Sequence, residues 1–303
     1  MGVVDPALRV LSELRLSLRD RTTLSPLARA VLLGTAVAEL RKYKEYVDSA
    51  DEFGRTPVRF AVEMGTLEVV KELIDGLGAD PDKPDMDGIT PLHVACIRGD
   101  GEMVDVLLLK CKNPSTVDNI RGETPLIAAC RNMNWELVER LIKQDVTHSD
   151  KQGRTALHWI MLKATSIADC IEAVNCLLTN QANINAQDEH GRSPLHFAAE
   201  RGMGEACGLL IKRGAKLNIT DEFGETPLHR CVVRPSVLQG KTCSLQILLD
   251  LKADPAIRRH DGKTVEDLIL QALQTRTWTD PQKISFEVAL RRIRKSLESS
   301  PKS

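Results

Sequence analysis

DGITPLHVACIRGDGEMVDVLL, residues 87–108, holds two apolar stretches of helical spacing around a Gly-Asp-Gly break, with a Thr-Pro pair at the front of the first. A helical hairpin this small buries too little to stand alone, so it requires a neighbour of the same kind on each side. The chain supplies them. Glycines recur in step at Gly54, Gly88, Gly122, Gly153, Gly191, Gly224 and Gly262. Two residues after each comes Thr or Ser, opening the tetrads TPVR (56), TPLH (90), TPLI (124), TALH (155), SPLH (193) and TPLH (226), with a degenerate TVED at 264.

Each letter has a mechanical reason. A Thr or Ser hydroxyl accepts from the free N–H groups of a first helical turn. Proline suits the next position, where its missing N–H costs nothing. Nine residues past the Thr or Ser, Gly65, Gly99 and Gly202 stand where a helix ends in the left-handed region. Second helices follow as LEVVKELI, EMVDVLLL, WELVERLI, EAVNCLLT, EACGLLIK and SLQILLDL, each with a broad apolar stripe.

This pattern resembles the ankyrin repeat family over about residues 51–273. The resemblance implies an all-α fold: a solenoid of stacked helix-turn-helix units with short β-hairpin connections. Six repeats are expected at 51–84, 85–117, 118–149, 150–187, 188–220 and 221–257, with a divergent first repeat at 22–50 and a degenerate last one at 258–273. The leucine-spaced segment 1–21 is expected to form an N-terminal capping helix. Residues 274–303 are expected to form a C-terminal cap and basic tail, with Phe286, Leu290, Ile293 and Leu297 on one face.

Composition narrows the function. Aromatics are only 3% of the chain, so the core must be built from aliphatic side chains and cysteine. No apolar run approaches the ~20 residues that cross a bilayer, and the N-terminus lacks a secretory pattern. The eight cysteines show no CxxC and no zinc-type spacing, which fits reduced thiols packed as small apolar groups in the cytosol, with the nucleus open. No HExxH, GxSxG, Walker loop or GxGxxG is present. His93, His158, His196 and His229 end the tetrads, a structural position by the resemblance. We therefore expect no enzyme, no cofactor and no metal.

Shared letters carry the fold of a repeat protein, so the departures carry recognition. The hairpin tips hold Phe53, Met86, Ile89, Ile120 and Phe223, apolar types expected to be exposed, and Arg121 and His190 stand in the same turns. The residue before the first-helix glycine position reads Met64, Arg98, Asn132, Lys163, Arg201 and Arg234, with Arg131 beside the row. By the resemblance this row faces a concave groove, which would suit an acidic segment of a partner. Two repeats, 150–187 and 221–257, carry five extra residues between their helices.

The expected role is a non-enzymatic protein-protein interaction module, an adaptor or inhibitory scaffold. A polyanion- or RNA-binding groove is one alternative. The five cations of RRIRKSLESSPKS are too few for nucleic acid without a larger patch. A substrate receptor of a larger assembly, such as a ubiquitin ligase, is another. ALRRIRKSL at 289–297 resembles part of the SOCS box, whose cysteine and proline-rich half are missing here.

Overall fold

A computed structural model describes residues 24–143, 145–166, 168, 170–232, 244–275 and 280–299. The expected helix at 1–21, Arg234 and the second insertion lie outside the described residues. Every regular element among the described residues is helical. The chain divides into two compact units, residues 1–120 and 121–303.

In the first unit, helix Pro26–Leu32 packs on Pro57–Met64, which packs on Pro91–Arg98. Ser25 and Thr90 cap helix starts: Ser25 Oγ accepts from the Ala28 N–H at 3.2 Å, and Thr90 Oγ1 from that of His93 at 3.4 Å. The second helix of the divergent repeat departs from expectation. It is one α turn, Val37–Leu40, followed by a 3-10 stretch, Arg41–Tyr46, that is broken at Tyr43. Only Leu40 is buried across the two, so little packing holds a regular helix there.

The second unit repeats the arrangement. Pro125–Arg131, Ala156–Lys163, Pro194–Glu200 and Pro227–Arg230 pack in single file. Gly204–Lys212 packs on Ser244–Asp250, and the C-terminal helix Asp280–Ser299 covers Ser244–Asp250 and Val265–Thr275. Phe286, Leu290 and Ile293 are buried in that cover, whereas Leu297, expected on the same face, is exposed.

One leucine recurs in the second segment of every layer. Leu73, Leu107, Leu141, Leu177, Leu210 and Leu248 are all fully buried. Each contributes roughly 1.5–3 kcal/mol of burial, which the neighbouring layers make possible.

The connections are set by aspartate. Asp51, Asp85, Asp150, Asp188 and Asp221 each use Oδ1 to accept backbone N–H groups two and four residues ahead, at 2.8–3.0 Å. This gives the recurring DxxG turn its first letter. The turns carry hairpin bonding, such as Asp85 N–H to the Ile89 carbonyl at 3.1 Å, but are too short to form strands among the described residues.

Successive turns are keyed to each other by one backbone bond. In the first unit Met86 donates to the Phe53 carbonyl at 2.9 Å and Asn119 to that of Asp87 at 2.7 Å. In the second unit Lys151 donates to Arg121, Glu189 to Gln152, Glu222 to His190 and His260 to Phe223, at 2.8–3.0 Å. Gly88 shows why glycine is required beside this bond. Its φ is +77°, and a Cβ there would lie 2.8 Å from the Asn119 nitrogen.

Candidate protein-binding surface

The tetrad histidines belong to the scaffold. His158 Nδ1 accepts the Thr155 N–H at 3.0 Å, which places the ring proton on Nε2, and Nε2 donates to the Arg192 carbonyl of the next layer at 3.0 Å. His196 repeats this with Ser193 and Glu225, each at 3.0 Å. His93 and His229 accept from Thr90 and Thr226 in the same way. Burial lowers His158, His196 and His229 to about 4, so they are neutral at physiological pH and both nitrogens of His158 and His196 are committed. Among the described residues no group of three or more His, Cys, Asp or Glu is placed to hold a metal ion.

The hairpin tips are different. In the first unit Phe53, Met86 and Ile120 are 55%, 70% and 53% exposed on three successive turns, and the backbone bond from Met86 to Phe53 makes two of them direct neighbours. Glu52 and Asp87 are exposed beside them. Arg55 lies under the row, with its guanidinium 5.0 Å from the Phe53 ring and 4.9 Å from that of buried Phe60, and it is paired with Asp51 at 2.8 Å. Ile89 does not join the exposed row; it is half-buried at the foot of its turn. In the second unit Phe223 and Arg121 are exposed. His190 is exposed too, with Nδ1 2.6 Å from Glu222 Oε1.

Most of the basic row is engaged within the layers. Arg98 is exposed, yet its Nη1 donates to the Glu63 carbonyl at the end of the preceding first helix, at 2.6 Å. Arg201 donates to the carbonyls of Leu162 and Met161 in the same manner. These cations complement the C-terminal ends of the helices that they reach. Arg131 pairs with Glu123 at 2.8 Å, and Met64 is half-buried. Lys163 is exposed, 5.9 Å from the Trp159 ring. Trp159 itself is buried, and its Nε1 donates to Asp150 Oδ2 at 2.9 Å, as a packing residue would.

Sequence reasoning passed over one position. The turn after Pro125–Arg131 places Met133 where Gly65, Gly99 and Gly202 stand in other layers, and Met133 keeps their left-handed backbone at φ 65°. The missing glycine was the signal.

Against known proteins, a family model described as Ankyrin repeats matches three times, at residues 27–118, 92–169 and 160–259. No curated protein sequence matches the chain. Among solved structures, the ankyrin repeat domain of Bcl-3, described as a unique member of the IkappaB protein family, is similar at 25% identity and a TM-score of 0.61. The match covers 74% of this chain and 98% of that one. With the family model spanning most of the sequence and the tetrads, glycines and leucines placed as that fold requires, this chain belongs to the ankyrin-repeat family.

Proposed function

We propose that this ankyrin-repeat protein is a non-enzymatic adaptor or inhibitory scaffold whose first unit grips a partner protein by its hairpin tips. The observation that carries the reading is the exposed row Phe53, Met86 and Ile120 on three successive turns of a chain otherwise poor in aromatics. Large apolar side chains held on bonded turns give contact area with little ordering left to lose on binding. The likeness to the Bcl-3 domain supports a role as a discrete interaction array. The described cysteines are free thiols, five of them buried, which fits a cytosolic or nuclear address.

Arg98, Arg131 and Arg201 lend less support to an acidic ligand in the groove, because their guanidinium groups already serve backbone carbonyls or Glu123. Lys163, exposed beside the Trp159 ring, is the remaining described cation of the row.

The test is quantitative affinity capture from cells with wild type, Phe53→Ser/Met86→Ser/Ile120→Ser and Lys163→Glu. Loss of the dominant partner in the triple variant alone, at an unchanged melting temperature, supports the tips. Capture that survives the triple variant and fails with Lys163→Glu moves the site to the groove. Capture that survives both removes the reading.

A further inference from the structure

We propose that the helix-turn edge of the second unit carrying Met133, Trp135 and Ile171 is a separate docking surface, shaped for a basic segment of a partner that presents large apolar side chains.

Three observations converge on this edge. The first is backbone strain kept for an exposed side chain. Asn134 donates to the Ala129 carbonyl at 3.0 Å, the closing bond of a helix end whose left-handed residue is ordinarily glycine. Thr66, Asp100 and Met203 make the same bond beside Gly65, Gly99 and Gly202. Among the described residues only this layer places a side chain on the left-handed residue that ends its first helix, although Gln181 and Lys252 hold the same backbone region after second helices, and 54% of Met133 is open to solvent. A non-glycine residue there is strained whatever space surrounds it, and a methionine more than half exposed returns little burial to offset the strain.

The second is the neighbour in the next layer. Leu137, Val138 and Leu141 are buried in one second segment and Ala173, Val174 and Leu177 in the next, which puts Trp135 and Ile171 at equivalent positions. Helix Ile171–Thr179 packs directly on Trp135–Leu137 and Val138–Leu141. Trp135 is half-buried and Ile171 is 38% exposed, so two apolar residues hold matching places in adjacent layers, with exposed Met133 two residues before Trp135. The corresponding residue of two other layers is glycine, at Gly101 and Gly204.

The third is charge. Glu136 and Glu172 follow the Trp and the Ile directly, and Glu139 lies one turn on; all three are exposed. Glutamate in a first helical turn is explained by the helix dipole and recurs at Glu68 and Glu102. Leu67, half-buried, stands before Glu68 and Gly101 before Glu102, so among the described residues an apolar residue occupies this place in two adjacent layers at Trp135 and Ile171. Lys163, Arg140 and Lys143 are the exposed cations nearby in sequence. An apolar strip edged by carboxylates complements Lys or Arg flanking bulky apolar residues, the arrangement of a basic amphipathic helix.

The strain makes the test decisive, because Met133→Gly removes the contact while relieving the turn. The full-length chain is titrated with a short synthetic amphipathic helix of Leu, Phe and Lys, and with its twin carrying Glu for every Lys. Wild type should bind the Lys peptide and not the Glu twin. Met133→Gly should weaken Lys-peptide binding about tenfold and melt at or above wild type, and Glu136→Lys/Glu172→Lys should reverse the preference between the peptides. Equal Lys-peptide binding by wild type and Met133→Gly would overturn the proposal, as would binding of neither peptide. Lost binding with a lower melting temperature would also overturn it, since Met133 would then be holding the turn. A concentration-dependent dimer abolished by Met133→Gly would replace the partner segment with a second copy.

Discussion

His196 Nε2 donates to the backbone carbonyl of Glu225 at 3.0 Å, across 29 residues of sequence, while its Nδ1 accepts the N–H of Ser193. The neutral ring is thus a strut between two layers. Protonating it would put a second proton on Nδ1, against a donor, in a buried place.

That geometry predicts acid sensitivity. Burial lowers His158, His196 and His229 to about 4 from the ordinary 6.5. Between those values the unfolded chain binds more protons than the native one, so stability falls as pH falls. The contribution is fully present above about pH 6.5 and lost by about pH 4, with an upper bound of about 3 kcal/mol each for the inaccessible His158 and His196. Urea titrations across this range should show the decline. His158→Gln/His196→Gln should be less stable at pH 7.5 yet show a flatter profile. A wild-type profile flat from pH 6.5 to 4 would contradict the account.

The basic row predicts a contrast between two cations of similar appearance in the sequence. Arg201→Glu removes donors from the Leu162 and Met161 carbonyls and puts an anion beside a helix C-terminus, for a loss of about 1–2 kcal/mol. Lys163→Glu, at an exposed side chain, should change stability by less than about 0.5 kcal/mol. Thermal melts of the two variants decide it, and equal shifts would refute the capping role.

Asp150 predicts a larger loss. Its Oδ1 accepts from Gln152 and Arg154 N–H, and its Oδ2 from Arg154 Nε at 3.1 Å and Trp159 Nε1 at 2.9 Å. In Asp150→Asn the new amide meets two donors, so about 2–3 kcal/mol should be lost in equilibrium unfolding. A change below about 0.5 kcal/mol would show that the turn reorganises freely.

The scaffold was legible because its determinants are local and repeat. Thr90, Pro91 and Leu92 act within one helical turn, and Leu107 or Leu141 is recognisable from spacing alone. The proposed binding surface was legible only in part. Phe53, Met86 and Ile120 are exposed as their turn positions imply, whereas Ile89 is half-buried. Arg98 and Arg201 look free in the sequence because the carbonyls that they serve lie 35 and 39 residues away. Residue type gives a charge, and only packing between layers gives its partner. Met133 stands in plain view as a departure from glycine, but its significance needs the backbone angle that it keeps.

The single backbone bond between successive turns has an evolutionary consequence. Within the second unit, the turn at 150–153 offers an N–H backward, from Lys151, and a carbonyl forward, from Gln152. The turns at 188–191 and 221–224 are likewise connectors with one plug and one socket, indifferent to the identity of the tip side chains. Duplicating a layer in the gene therefore yields a piece that couples on both sides at once, and its tip is free to drift toward a new ligand while the joint stays intact.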